Sequence, residues 1–205
     1  ESKAKLSSTA LLTVGAGAVA VGTSIISSLR PAADAASDLN EAVAYGETVF
    51  GESFAAVDKF ATGAAEKIGQ SRREAIAGAT DFATLGKAAG LAGDDLAGFS
   101  TDLVTLASDL ASARNTSTAD AIQAISAGLR GESEPLRRYG VLLDDATLRQ
   151  EALGLGIIKT TKDALTPQQK VLAAQSAIFK QTSDAQGDFA RTSDGMANSQ
   201  RIAAA

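Results

Sequence analysis

Along one stretch of this chain, Leu85, Ala89, Ala92, Leu96, Phe99, Leu103, Leu106, Leu110 and Ala113 fall at alternating steps of four and three. That is the heptad rhythm, which gathers side chains on one face of an α-helix and scatters them over both faces of a strand. Gly86, Gly90 and Gly93 interrupt its first half, and a glycine inside a helix costs about 1 kcal/mol relative to alanine. The strong part is therefore a packing seam of Leu96, Phe99, Leu103, Leu106 and Leu110. Burial within a helical bundle and burial by self-association in a coiled-coil-like assembly both satisfy it. No segment of useful length alternates with period two, so the expected class is all-α, built of several Ala/Gly-rich helices.

Small side chains limit what such helices can do alone. Only 4% of the residues are aromatic and there is no Trp. At roughly 25 cal/mol per Å² of apolar surface, Ala and Gly each bury little, so the helices must approach closely and be covered by partners from this chain or its copies. There is also no His and no Cys. That removes the usual general base near neutral pH, thiol nucleophiles, disulfides and zinc sites of the His/Cys type. Carboxylates remain, but the pairs Asp94–Asp95 and Asp144–Asp145 stand where helices begin, the place for capping and dipole stabilisation. No phosphate loop, nucleophile elbow or calcium loop is present. The reading is a non-enzyme with no catalytic residue, no metal ligand and no cofactor. With a formal net charge of −5, the chain lacks the footprint of a specific nucleic-acid binder. The basic doublets Arg72–Arg73 and Arg137–Arg138 read as solvated faces or ion-pair partners.

The chain begins at Glu1 rather than Met, which reads as a processed chain or a piece of a longer one. Residues 6–29 carry no charge and are flanked by Lys3, Lys5 and Arg30. As a helix they would span about 36 Å, enough for a hydrocarbon core near 30 Å. Their Gly, Ser and Thr content makes them only marginally hydrophobic. A membrane-capable segment and a helix packed against protein or inside a tube both fit; a signal peptide fits less well, since no convincing cleavage site follows. Residues 1–30 are thus taken as an N-terminal apolar helix, and residues 31–205 as a helical core region.

Beyond Pro31, a second helical region is expected to about Gly69, loosened around Gly46 and Gly51. Ser71 with Glu74 forms a capping box. Near the middle, a helix bearing Ile122, Ile125 and Leu129 should stop at Gly131. An acidic link, Glu132 and Glu134, then leads to Pro135 at the first turn of another helix, giving a helix–turn–helix. Asp144 restarts a helix that Gly154 and Gly156 end. Thr166, Pro167 and Gln169 start another, reaching about Ala185, with Val171, Leu172, Ile178 and Phe179 on one face and Gly187 or Gly195 weakening or ending it.

The string "LRGESEPLRRYGV" and the following "LDDATLRQEALGLG" resemble the core region of tail tape measure proteins of tailed, siphophage-like bacteriophages. The residues carrying the motif are Gly131, Glu132, Pro135, Leu136, Arg137 and Gly140. Upstream, "VFGESFAAVDKFATGAAEKIGQSRREAI" and "FSTDLVTLASDLASARNTS" resemble the same family, as does "LTPQQKVLAAQSAIFKQTSDAQGDFARTSDGMANSQR" downstream. The likeness runs from about Tyr45 to Arg201. It implies a structural virion protein that sets tail length during assembly and leaves ahead of the DNA during ejection. It further implies self-association, with a trimer favoured, and contacts with tail tube, distal tail or baseplate proteins and tail assembly chaperones. Expected locations are the tail interior, the host cytoplasm during assembly and the host membrane on infection. A fully helical chain of this length would reach only about 300 Å at 1.5 Å per residue, so most of such a ruler would lie outside it. The family's peptidase or glycan-cleaving domains have no counterpart here. The competing reading is a bacterial membrane-associated or secreted helical pore-forming protein anchored by residues 6–29.

Overall fold

The computed structural model describes residues 33–205. The expected apolar helix of residues 1–30 lies outside them. Contacts divide the chain into two units, and the larger, Ala42–Ala205, holds nearly every element that follows. Among the described residues the structure is all-helical, without strands. Helix α1 covers 33–50 and leads through a 3-10 turn, Gly51–Ser53, to α2 (Phe54–Thr62) and α3 (Ala64–Ile68). The long helices follow: α4 (Arg72–Ala88), α5 (Gly93–Arg114) and α6 (Thr118–Leu129). A second 3-10 segment, Glu134–Tyr139, precedes α7 (Asp145–Gly154) and α8 (Pro167–Gln181). The short α9 (Asp188–Arg191) and α10 (Met196–Ala204) close the chain.

Helix α5 is the axis of the fold. Its seam residues Leu96, Phe99, Leu103, Leu106 and Leu110 are buried, and so are Ala97, Ser100, Val104, Ala107, Ser108, Asp109 and Ala111 from its other faces. It is enclosed by segments of its own chain, chiefly α4, α6, α9 and α2. The nine-position heptad rhythm, however, is not one helix. Gly90 and Gly93 take left-handed backbone at φ +85° and +58°, so the chain turns back between α4 and α5. The buried Gly86 then lets the two helices close, because a side chain there would meet Leu96 and Phe99 of α5.

Direction follows from three contacts. Gly86 faces Leu96 and Phe99, Gly78 faces Val104, and the Ser108 hydroxyl donates to the Ile68 carbonyl. Rising numbers along α3 and α4 meet falling numbers on α5, so α4 and α5 are antiparallel. The tight turn at Asn115, itself left-handed at φ +50°, makes α6 antiparallel to α5 as well. Helices α4 and α6 therefore run parallel on the same side of α5.

Local expectations meet mixed outcomes. Ser71 with Glu74 and Thr166 with Gln169 both form reciprocal capping boxes, and the Asp144 side chain accepts from the Thr147 N–H at 2.7 Å. Gly46 does not loosen its helix. It lies buried within α1, where a Cβ would run into the Phe54 ring. Helix α8 ends at Gln181 instead of about Ala185, and the residues of its expected apolar face are unequally covered. Val171, Ala174 and Ile178 are buried, whereas Leu172 and Phe179, one position further round, are half-buried and border a recess of about 510 Å³ shared with Asp102 and Leu155. No helix among the described residues is long and apolar enough to cross a membrane.

Candidate functional site

The block containing Gly131, Glu132, Pro135, Leu136, Arg137 and Gly140 folds as a tight corner. Helix α6 ends in a Schellman arrangement: the Gly131 N–H reaches the Gly128 carbonyl at 3.0 Å, and the Glu132 N–H reaches Ala127 at 2.9 Å. Gly131 supplies the positive φ, +96°, that this geometry requires. Pro135 then opens the turn Glu134–Tyr139. This is a six-residue 3-10 segment and not the second full helix expected from its punctuation, because Gly140 at φ +83° turns the chain out at once. Two side chains pin the corner. Leu136 is fully buried beneath Gly128, and Tyr139 is buried with its hydroxyl 3.1 Å from that of Thr116. Arg137 pairs with Glu134 at 3.1 Å on the surface, and the Arg138 guanidinium lies 5.3 Å from the Tyr139 ring centre. Glu132 stands 3.6 Å from Arg130, both exposed. The corner is an anchored bend in the chain; its charged groups sit at the surface.

Chemistry of another kind gathers where α4 and α6 run side by side. They approach at Gly78, where a Cβ would stand 3.0 Å from Ile122 Cδ1. Away from that point a groove of about 900 Å³ opens between them. Its α4 wall is the stripe Gln70, Arg73, Ala77, Asp81 and Leu85, and its α6 wall is Ala119, Ile122, Ser126 and Arg130. Both have the three-to-four spacing of a single helix face. The floor is small and apolar around Ala77, Gly78 and Ile122, and the ends are polar.

Two polar groups in these walls lack partners. Gln70 is 3% exposed and Ser126 is 8% exposed, and neither the Gln70 Nε2 nor the Ser126 Oγ has a hydrogen-bond partner. A buried donor left unmade costs about 1–3 kcal/mol. The parallel register puts them at opposite ends. Ser126 is one turn beyond Ile122, level with about position 82 of α4, and so roughly 18 Å from Gln70 at 1.5 Å per residue.

Charge is also unevenly settled. Arg72 is held by Asp58 at 2.6 Å, but its neighbour Arg73 has no carboxylate partner among the described residues and lines the groove. The Arg201 guanidinium, at the same end, donates to the Thr116 carbonyl at 2.8 Å and to Asn198 Oδ1 at 2.8 Å, both neutral acceptors. The Glu74 carboxylate is occupied by the Ser71 N–H and hydroxyl. At the far end, desolvation by the helix walls lifts the Asp81 carboxyl above its ordinary pKa. Among the described residues no group of His, Cys, Asp or Glu is placed to hold a metal ion.

Of the groove residues, the sequence offers Arg73 as a solvated or ion-pairing charge and Ile122 as part of an apolar helix face, but not their meeting with Gln70, Asp81, Ser126 and Arg130 in one groove. A second cluster was less accessible. Asp109, 5% exposed toward the C-terminal end of α5, accepts the N–H groups of Gly187 at 2.7 Å and Phe189 at 3.1 Å. Burial raises its pKa, and those two hydrogen bonds act against the rise. Comparison with protein-family models, curated proteins and solved structures finds no match for this chain.

Proposed function

We propose that this chain is a region of a phage tail tape measure protein, a structural component and not an enzyme. The observation that carries the reading is the ordered run of family-like blocks from about Tyr45 to Arg201, centred on "GESEPLRRYGV". The local geometry of that block supports it. Its residues serve a bend, with Gly131 and Gly140 supplying left-handed backbone and Leu136 buried as an anchor. A block whose residues serve a bend speaks for architecture, which is what a ruler protein requires.

In this reading the folded bundle is one module of a longer helical polypeptide that self-associates within the tail, as a trimer by the family's likeness. It meets tail tube, baseplate and chaperone proteins during assembly in the host cytoplasm. It departs ahead of the DNA, with residues 6–29 shielded in the particle and able to enter the host membrane on release. Tail length follows from the rise of 1.5 Å per helical residue in the extended remainder.

The test is genetic and structural together. In-frame duplication or deletion within helical sequence of the full reading frame should lengthen or shorten the tails of the resulting particles in proportion, read by electron microscopy. The protein should also appear in purified tails by mass spectrometry. Particles that lack it and keep their tail length in every variant would end the proposal.

A further inference from the structure

We propose that the α4–α6 groove is a seat for one helix of a partner protein, carrying a carboxylate at one end of the contact and an amide about three turns further on. Two parallel helix faces with a small-residue floor between them present what a third helix packs into. The groove's length, from Gln70 to the level of Leu85, matches about four turns of helix, so a compact ligand would leave one end empty.

Each end specifies its partner group. At the first, Arg73 and Arg201 outnumber the one carboxylate lining that end, Glu74, which is taken up by Ser71 and is paired with neither arginine, and the Gln70 Nε2 has no acceptor. Since nothing among those residues holds that amide, turning it into the groove breaks no hydrogen bond. A Glu or Asp side chain supplies an acceptor for the amide and the countercharge for the arginines. At the second end, Arg130 and the Ser126 hydroxyl stand with the Asp81 carboxylate. A second acid would face Asp81, whereas Gln or Asn accepts from Ser126 or Arg130 and donates to Asp81. On a helix, residues eleven apart return to within about 20° of the same face after roughly 16.5 Å, close to the spacing of the two ends. Between them, positions four and seven residues on must be Ala, Gly or Ser to clear Ala77, Gly78 and Ile122.

A stapled, fluorescently labelled alanine-based peptide with Glu and, eleven residues later, Gln serves as the probe. We expect saturable binding to the full chain, weakened at least tenfold by Arg73→Glu and by Ala77→Trp, which fills the middle of the groove from an exposed position. Replacing the peptide's Glu by Gln should weaken it to the same degree, and the Gln70 side-chain amide resonances should shift on binding. If Ala77→Trp disturbs the circular dichroism, Gln123→Trp, also exposed on the groove, takes its place. Absence of saturable binding, or equal affinity for the parent and both groove variants, would overturn the proposal.

Discussion

An alanine at Gly128 would push its methyl into Leu136, a fully buried side chain that pins the corner after α6. An alanine at Gly98 would meet nothing within 4 Å. Both glycines lie inside helices, so helix propensity favours alanine at each by about 1 kcal/mol. At Gly98 that gain stands alone. At Gly128 it is set against overpacking, which costs about 1–3 kcal/mol when a well-filled core must shift. Gly98→Ala should therefore raise the midpoint of chemical denaturation and Gly128→Ala should lower it. Equal effects from the two would mean that Leu136 is not held where the packing places it. The same contrast explains why glycine abundance misled at residue scale: the letter is identical where backbone freedom, close approach or neither is the reason.

Elements whose signals are local were readable, and those set by distant partners were not. The caps of α4 and α8 need only residues three apart, so Ser71 with Glu74 and Thr166 with Gln169 announce themselves. The heptad rhythm spoke for helix but could not tell that Gly90 and Gly93 fold it back on itself, since glycine permits either outcome. Ser108 and Asp109 interrupt the apolar surface of α5 for partners some 40 and 80 positions away, Ile68 on one side and the Gly187–Phe189 turn on the other. The α4–α6 groove exists only because two helices far apart in sequence become parallel neighbours. The α7–α8 hairpin shows the same principle and allows a sign to be worked out. The Glu151 carboxylate lies 2.7 Å from Lys180 Nζ and accepts from the Ser176 hydroxyl at 2.8 Å. The bond from Lys180 chiefly holds its pKa below the ordinary value. A depressed acid contributes stability that is complete above its unfolded pKa and lost as pH falls through its folded one. Glu151→Gln should thus cost up to about 1 kcal/mol at neutral pH, Lys180 being largely exposed. The difference from the parent should vanish on acidification. A difference independent of pH would assign the effect to packing.

For the whole molecule, the C-terminal turns act as a clasp across the bundle. Phe189 is buried and lies where a side chain at Gly69 would collide with it. Asn198 donates to the Ser112 and Thr192 hydroxyls, each at 2.8 Å, and Arg201 reaches back to Thr116. At the centre, Asp109 caps the turn that begins α9 by accepting two backbone N–H groups. Its burial is tolerable because those donors are present, so the carboxylate and the clasp should depend on each other. In the full chain, Asp109→Leu leaves the Gly187 and Phe189 N–H groups without an acceptor, at about 1–3 kcal/mol for each one that stays buried. In a chain ending at Gln186 the donors are gone. The parent then carries a partly desolvated carboxylate with nothing to bind, and leucine at that place should be neutral or stabilising. The expected outcome of a cycle of urea denaturations is therefore a reversal of sign: the substitution harms the long chain and does not harm the short one. A loss of the same size in both lengths would show that Asp109 matters to α5 alone, and that the clasp closes without it.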